Sequence, residues 1–371
     1  MSKVEWKNLG DICEIKGRIG FRGYTRDDQV EKGKGAISLS PGNIDGGSLN
    51  LESCTYITWE KYEESPEIMA FDGDIILGKT ASVGKVAMIK DLPEKATINP
   101  QLVLLKEISI NSRYLYYVLS DTPFQMAIKR LAGIGSVPNV SQAKLALITI
   151  PVPSEKEQER IVNVLDTFTS SIENLKEQIA LRRKQYEYYR DQLLDLEGKE
   201  GVEMRKLSET CEIRRGIRVV KKQLKDTALY PVFQNSIAPM GYYDQYNRDG
   251  NMPYVICAGS SSGSVGYCFT PFWAADDCYT IESSNLNRKY IYYALKNNNN
   301  KLFKLVRKGS MPRLPHDAID NLIIPIPPFV EQQRIVDILD TFEASIQNLE
   351  AQLSQREKQY EYYRNKLLTF E

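Results

Sequence analysis

The chain has 371 residues, 42% of them apolar, and its 48 basic residues balance its 48 acidic residues. This length predicts two or more domains, and the apolar content argues against a largely disordered chain. No apolar run is long enough to span a membrane and the N-terminal stretch MSKVEWKNLG is charged, so we expect a cytoplasmic protein. The balanced charge indicates no particular partner.

Cysteine and histidine give little sign of chemistry. The cysteines lack the close spacing of a zinc site, so we expect reduced and mostly buried thiols. The single histidine, His316, stands beside Pro315 without catalytic partners nearby, and we expect an ordinary loop residue. The cysteines are Cys13, Cys54, Cys211, Cys257, Cys268 and Cys278.

The first segment, residues 1–154, predicts a mixed α/β domain. Apolar runs such as DIILGKT, KVAMI and QLVLLK predict strands, and residues 112–131 predict a pair of helices. Residues 73–80, GDIILGKT, also fit the phosphate-binding pattern G-x-x-x-x-G-K-[ST]. That pattern needs a following helix, whereas ASVGKVAMI continues as a β-type run, so we interpret residues 73–80 as a strand and a turn.

Residues 155–196 predict one long helix. They contain no Pro or Gly, so a helix of about 40 residues and roughly 60 Å can form. Apolar residues recur in alternating steps of three and four, which indicates a coiled-coil seam that Arg182 interrupts. The seam residues are Leu165, Phe168, Ile172, Leu175, Ile179, Tyr186, Tyr189, Leu193 and Leu196.

Residues 197–330 predict a second mixed domain, and residues 331–371 a second long helix. Residues 331–368 repeat residues 157–194 with 24 identities in 38 positions, and GSMPRL and LIIPIP upstream match GSVPNV and ITIPVP. The second seam is interrupted by Arg356. Its residues are Leu339, Phe342, Ile346, Leu349, Leu353, Tyr360, Tyr363, Leu367 and Phe370.

Each long helix is expected to pair with the other, although each could instead pack against a partner protein. A two-fold relation between the repeats would make the helices antiparallel and hold the mixed domains at opposite ends of a rod. The predicted fold is therefore α+β, with two mixed α/β domains separated by a long antiparallel two-helix coiled coil. Arg182 and Arg356 would either form a polar layer in the seam or lie exposed where the helices splay.

Motifs for catalysis are missing from the sequence. There is no [DNS]-P-P-[YFW] methyltransferase motif and no dinucleotide-binding G-x-G-x-x-G motif. Basic clusters do occur at equivalent places in the two mixed domains, in KGRIGFRGYTR (16–26) and RRGIRVVKK (214–222). These features predict a non-catalytic chain with loops suited to phosphate contacts.

The order of these parts resembles the specificity subunit of type I restriction–modification systems. A variable domain, IPxPxxxEQxRIVxxLD and a helix ending in KQYEYYRxxLL occur twice, covering the whole chain. The resemblance implies two target-recognition domains that each read half of a bipartite DNA site, with the coiled coil setting their spacing. It implies no cofactor, metal or catalytic residue in this chain. Its implied partners are double-stranded DNA, two adenine methyltransferase subunits that use S-adenosylmethionine, and two restriction subunits that use ATP and Mg.

The loops supply the candidate DNA contacts, each of which could instead be a structural turn. Ser82-Val83-Gly84 aligns with Ser264-Val265-Gly266, which places GKTAS opposite GSSSG. Gln234, Asn235 and Ser236 carry groups able to read base edges, and the clusters around Arg18 and Arg214 are expected to hold phosphates. The candidates are Arg18, Arg22, Lys79, Thr80, Ser82, Gly135, Ser136, Arg214, Arg215, Arg218, Gln234, Asn235, Ser236, Ser260, Ser261, Ser262, Lys308, Ser310 and Arg313.

Two other interpretations stay open at this point. The chain could be a coiled-coil scaffold whose globular ends bind proteins without recognising DNA. It could also be a nucleotide hydrolase, which nucleotide binding abolished by Lys79→Ala would support.

Overall fold

The computed structural model describes residues 4–18, 23–133, 137–225 and 227–370, and the chain divides into two compact units. Unit 1 comprises Met1–Asn174 with Leu353–Glu371, and unit 2 comprises Leu175–Gln352. The long helices α6 (Glu155–Leu194) and α11 (Phe329–Leu368) each contribute one half to each unit. The second long helix begins two residues before the boundary predicted at 331. In the described ranges no helix combines the length and apolarity that crossing a bilayer requires.

Unit 1 holds thirteen of the described strands and five short helices. The strands are β1 (Glu5–Asn8), β2 (Glu14–Lys16), β3 (Gln29–Val30), β4 (Ala36–Leu39), β5 (Ile44–Asp45), β6 (Ser48–Leu49), β7 (Thr55–Ile57), β8 (Met69–Ala70), β9 (Ile75–Gly78), β10 (Val86–Met88), β11 (Ala96–Ile98), β12 (Leu102–Lys106) and β13 (Thr149–Val152). The helices are α1 (Leu9–Ile12), α2 (Trp59–Glu63), α3 (Ser112–Ser120), α4 (Thr122–Ala132) and α5 (Gln142–Ala146).

Two sheets form the body of unit 1. One has the strand order β10–β9–β12–β2 and the other β3–β7–β4–β11–β8, while β1 pairs with β13 separately. Strand β9 is buried on both faces, because Ile75 and Leu77 pack into a core with α3 while Ile76 packs into the core beneath the second sheet. Burial on both faces explains the unbroken apolar run of GDIILGKT. The next element is strand β10 and not a helix, so the interpretation of residues 73–80 as a strand and a turn is confirmed.

Unit 2 repeats this plan with a smaller second sheet. The strands are β14 (Glu203–Lys206), β15 (Glu212–Arg215), β16 (Tyr230–Phe233), β17 (Gly241–Tyr243), β18 (Met252–Ile256), β19 (Val265–Cys268), β20 (Trp273–Ala274), β21 (Cys278–Glu282) and β22 (Ile323–Ile326). They form sheets with the strand orders β15–β21–β18–β19, β17–β16–β20 and β14–β22. The short helices are α7 (Leu207–Thr210), α8 (Arg288–Asn297), α9 (Asn299–Leu305) and α10 (His316–Asp320).

One expectation about unit 2 is wrong. His316 does not lie in a loop but begins α10, where its Nδ1 lies 2.6 Å from Asp320 Oδ2 and its ring packs edge-on against Tyr279. The sequence hid this helix because it has only five residues, too few for an apolar period to show.

A buried glutamine fixes the start of each long helix on its domain. Gln158, 4% exposed, donates to the carbonyl of Pro153 at 2.8 Å and accepts from the N–H of Asn111 at 3.0 Å. Gln332, 2% exposed, makes the equivalent bonds in unit 2 and accepts from the N–H of Asn287 at 2.9 Å. In each unit the glutamine thereby satisfies one proline carbonyl and one asparagine N–H away from water, so each long helix leaves its domain in a defined direction.

The helices pair along the predicted seam. In unit 2, Arg183 contacts Glu350 and Tyr186 contacts Glu343. Residue numbers therefore increase along α6 while those of their partners decrease along α11, which makes the two helices antiparallel. The predicted seam residues are buried or half-buried except Tyr189 and Tyr363, which are 44% and 41% exposed.

Both seam arginines are half-buried and face an aromatic ring of the other helix. In unit 2, Arg182 Cζ lies 5.8 Å from the ring centroid of Phe342. In unit 1, Arg356 Cζ lies 5.6 Å from that of Phe168. Each arginine also donates to a glutamine three residues further along its own helix. They are therefore members of the seam and not exposed at a splayed end.

Candidate nucleic-acid interface

Two predicted loops of unit 1 meet at the turn after β9. Thr80 Oγ1 donates to Asn139 Oδ1 at 2.7 Å. The N–H of Ala81 donates to the carbonyl of Pro138 at 2.9 Å, and the N–H of Val140 donates to the carbonyl of Lys79 at 2.9 Å. These bonds hold Lys79 and Thr80 beside the segment that follows Gly135 and Ser136. Those last two candidates lie outside the described residues.

Unit 2 builds the same junction from its own loops. The N–H of Gly259 donates to the carbonyl of Pro312 at 2.9 Å, and the N–H of Leu314 donates to that of Cys257 at 2.8 Å. Ala258 bridges Arg313 through the backbone just as Thr80 bridges Asn139. The two pairs of loops matched in sequence therefore come together in both units.

The alignment of Gly84 with Gly266 is wrong by the hydrogen bonding. The N–H of Gly84, a residue with φ +90°, donates to the carbonyl of Gly78. In unit 2 the equivalent bond runs from the N–H of Gly263, which has φ +92°, to the carbonyl of Ile256. Gly84 therefore corresponds to Gly263. The sequence alignment pairs Gly84 with Gly266 because both follow Ser-Val, but Gly266 does not have the positive φ that Gly84 and Gly263 share. Gly266 is needed for packing, because a Cβ there would lie 2.3 Å from the ring of Tyr254.

The corrected register changes which side chains are equivalent. Lys79, Thr80 and Ala81 are equivalent to Cys257, Ala258 and Gly259, so GKTAS aligns with ICAGS. Ser82 is half-buried and Ser260 is exposed. Ser261 is half-buried, while Ser262 is 4% exposed and donates to the carbonyl of Cys257 at 3.0 Å. Ser262 therefore stabilises the loop, and its buried hydroxyl is not available for the predicted DNA contact.

Arg18 is also buried and therefore not available for the predicted phosphate contact. Its side chain is 4% exposed, and its guanidinium donates to the carbonyl of Ile98 at 3.2 Å and to Thr97 Oγ1 at 3.4 Å. Burial lowers the pKa of Arg18 below its ordinary value. The guanidinium fastens its segment to strand β11. Its neighbour in the candidate set, Arg22, lies outside the described residues.

Two arginines of the second basic cluster are occupied. Arg214 makes a two-pronged ion pair with Glu212 at 2.6 and 2.7 Å and lies 3.3 Å from Glu282. The hydrogen bond to Glu212 raises the pKa of Arg214. Arg215 Nε donates to the carbonyl of Asp276 at 2.7 Å. Two carboxylates offset the charge of Arg214, which makes it a poor phosphate ligand.

Residues 307–313 form a closed turn with an exposed tip. The N–H groups of Arg307 and Arg313 each donate to the carbonyl of the other, at 2.9 and 3.1 Å. Lys308 and Ser310 are exposed at the tip, and Arg313 Nη2 lies 3.5 Å from Asp277 Oδ1. A cation and a hydroxyl on a rigid turn suit contact with a phosphate backbone.

The remaining candidates of unit 2 line one cleft of about 440 Å³. It brings Arg218 together with Gln234, Asn235 and Ser236, which the sequence had placed in separate clusters. Lys221 also lines it and was missed as a candidate. The signal for Lys221 was the pair of lysines at the end of RRGIRVVKK.

Comparisons with known proteins agree with this architecture. A family model described as the type I restriction modification DNA specificity domain matches residues 1–182 and 199–357. A putative type I restriction enzyme specificity subunit from Haemophilus influenzae is 28% identical over 406 residues, covering 100% of this chain and 96% of that protein. The EcoR124I/EcoR124II specificity subunit of Escherichia coli is 30% identical over 300 residues, covering 70% of each chain.

A solved structure shares the fold along the whole chain. The S subunit of a type I restriction–modification system from M. genitalium superposes with a TM-score of 0.70 at 18% identity, covering 100% of this chain and 97% of that one. Two mixed domains on paired long helices therefore define a specificity-subunit fold. The chain belongs to the type I restriction–modification specificity family.

Proposed function

We propose that this chain is the non-catalytic DNA-recognition subunit of a type I restriction–modification complex in the cytoplasm. Each unit reads one half of a bipartite DNA site. The chain recruits two adenine methyltransferase subunits and two restriction subunits. S-adenosylmethionine, ATP and Mg are used by those partners and not by this chain.

The observation that carries the proposal is one loop junction built twice with different side chains. Thr80 and Asn139 occupy the backbone bridge in unit 1, and Ala258 and Arg313 occupy it in unit 2. A shared backbone with different side chains suits two domains that hold the same kind of ligand but read different sequences. An asymmetric site follows from this difference.

The helices supply the spacing in this proposal. Each has 40 residues, which corresponds to about 60 Å. Half-sites one to two turns of B-DNA apart are separated by about 34–36 Å per turn, which such helices can bridge. Near-neutral charge suggests modest affinity for DNA alone, so the methyltransferase subunits would complete the grip on the duplex.

The decisive experiment is co-expression with the methyltransferase subunit encoded nearest to this gene, followed by methylation-sensitive sequencing of the host genome. We expect adenine methylation at one asymmetric bipartite motif. No new methylated motif from folded, co-purifying subunits would refute the proposal. It would leave the scaffold interpretation, in which the globular ends bind proteins.

Two further measurements separate the alternatives. Adding whole helical turns to both long helices should lengthen the spacer between half-sites and leave each half-site unchanged, and altered half-sites would contradict the spacer role. Nucleotide binding to this chain alone is expected to be absent, because Lys79 follows a buried strand that leads into strand β10. Binding lost in Lys79→Ala would instead support a nucleotide hydrolase.

A further inference from the structure

The cleft of unit 2 differs from the rest of its basic surface in having unengaged cations. In the described ranges no ion pair or side-chain hydrogen bond involves Arg218 or Lys221, both of which line the cleft. Arg214, four residues before Arg218, is held by two carboxylates. The cleft therefore keeps positive charge available for an anionic ligand.

The cleft also carries unengaged amides, on the segment that contains Gln234 and Asn235. Asn235 is exposed and Gln234 half-buried, and within the part of the chain that the structure describes neither amide has a hydrogen-bond partner. Ser236 is different, because its Oγ accepts the N–H of Ala238 at 3.1 Å. Amide groups that both donate and accept match the major-groove edge of adenine, which presents one donor and one acceptor.

Contacts with neighbouring elements support the cleft. Val219, which lines the cleft and is 3% exposed, packs in one buried cluster with Val232. Tyr254 Oη donates to the carbonyl of Ile237 at 3.1 Å, which fixes the loop that carries the amides. A Cβ on Gly259 would lie only 3.2 Å from Asn235 Cβ, so the loop also abuts the junction described above. A site held in this way loses little conformational entropy when a ligand binds.

We infer that this cleft reads the half-site of unit 2, with Gln234 and Asn235 on base edges and Arg218 and Lys221 on the flanking phosphates. The inference rests on the proposed function and deepens it by assigning sequence readout to two side chains. Arg214, Ser236 and Ser262 have structural roles instead. The half-site read by unit 2 contains adenine at the position that the amides contact.

The test measures the methylated motif and DNA affinity of variants assembled with the methyltransferase subunits. Gln234→Ala and Asn235→Ala should lower discrimination at one or two positions of one half-site by roughly tenfold or more, leaving the other half-site unchanged. Asn235→Asp keeps the side-chain shape and should also lose the adenine preference. Gln347→Ala, which removes an exposed amide on α11, should change nothing.

The cations should behave differently from the amides. Arg218→Ala and Lys221→Ala should weaken binding to all sequences, and each should reduce the salt-dependence slope by about one. Lys184→Ala, which removes an exposed lysine of α6, should leave both quantities unchanged.

Two results would overturn the inference. One is an unchanged motif in all three amide variants while the wild-type complex methylates a bipartite site. The other is a change in both half-sites at once. A wild-type complex with no bipartite motif would instead refute the proposed function, and the inference with it.

Discussion

Tyr363 of α11 stacks on Phe168 of α6, with ring centroids 5.3 Å apart and ring planes 25° apart. In unit 2, Tyr189 of α6 stacks on Phe342 of α11 at 5.4 Å and 28°. Each unit is thus completed by the end of a helix that starts in the other unit. The C-terminal segment Leu353–Glu371 belongs to the unit that contains the N-terminus.

This arrangement predicts where a C-terminal substitution acts. Leu368, 6% exposed, packs into the core of unit 1 together with Leu165. Leu368→Ala should lower the free energy of unfolding of unit 1 by about 2–5 kcal/mol through lost burial and the cavity that remains. Hydrogen exchange followed by mass spectrometry should show faster exchange in β9 and α3, although both are far from residue 368 in sequence.

Leu194→Ala is the matched control, because Leu194 occupies the equivalent position in α6 and is 5% exposed in the core of unit 2. It should accelerate exchange in β18 and α8 and leave unit 1 unchanged. If Leu368→Ala instead loosened unit 2, the division of the helices between the units would be wrong.

The sequence predicted the large features and missed the partners of single charges. The heptad period of the long helices and the doubly buried strand β9 are local patterns, so both could be predicted. Arg214 could not be assigned correctly, because its second partner, Glu282, is 68 residues away and reaches it only through the pairing of β15 with β21. The alignment of Gly84 failed for a similar reason, because the backbone angle φ of a glycine cannot be read from the amino-acid sequence.

The seam arginines should contribute modestly to stability. Arg356→Ala removes the cation over the ring of Phe168 and is expected to lower the free energy of unfolding of unit 1 by about 0.5–1 kcal/mol. Gln359→Ala removes the hydrogen bond to Arg356 but keeps the cation over the ring, so it should have a smaller effect. A double-mutant cycle of Arg356→Ala with Phe168→Leu, followed by denaturant unfolding, measures the pair. A coupling energy of zero would show that the ring contact does not stabilise the seam.

The turn after β9 contains a strained residue. Ala81 has φ +61°, a conformation that favours glycine, and its equivalent Gly259 has φ +91°. Ala81→Gly should therefore raise the free energy of unfolding by up to about 1 kcal/mol. Gly259→Ala should lower it by about 1–2 kcal/mol, because Cβ would be strained and close to Asn235. Destabilisation by Ala81→Gly would contradict this account.

Thiol reactivity provides a test of burial in both units. All six cysteines are free, five are buried and Cys54 is half-buried. Burial raises the pKa of Cys13 to about 12 and that of Cys257 to about 11. Because thiolate is the reactive form, an alkylating reagent at pH 8 should label Cys54 first and the others only after unfolding.

Peptide mapping by mass spectrometry measures this order, and Cys54→Ser should remove the fast phase.

The raised pKa values of the buried thiols also make stability depend on pH. The folded-state pKa values lie above the unfolded value of about 8.5, so the protonated thiols favour the folded state. Stability should be unaffected by these groups below that pH and fall as the pH rises towards 11. Rapid labelling of Cys257 in the native protein would show that the core beside the loop junction of unit 2 opens readily.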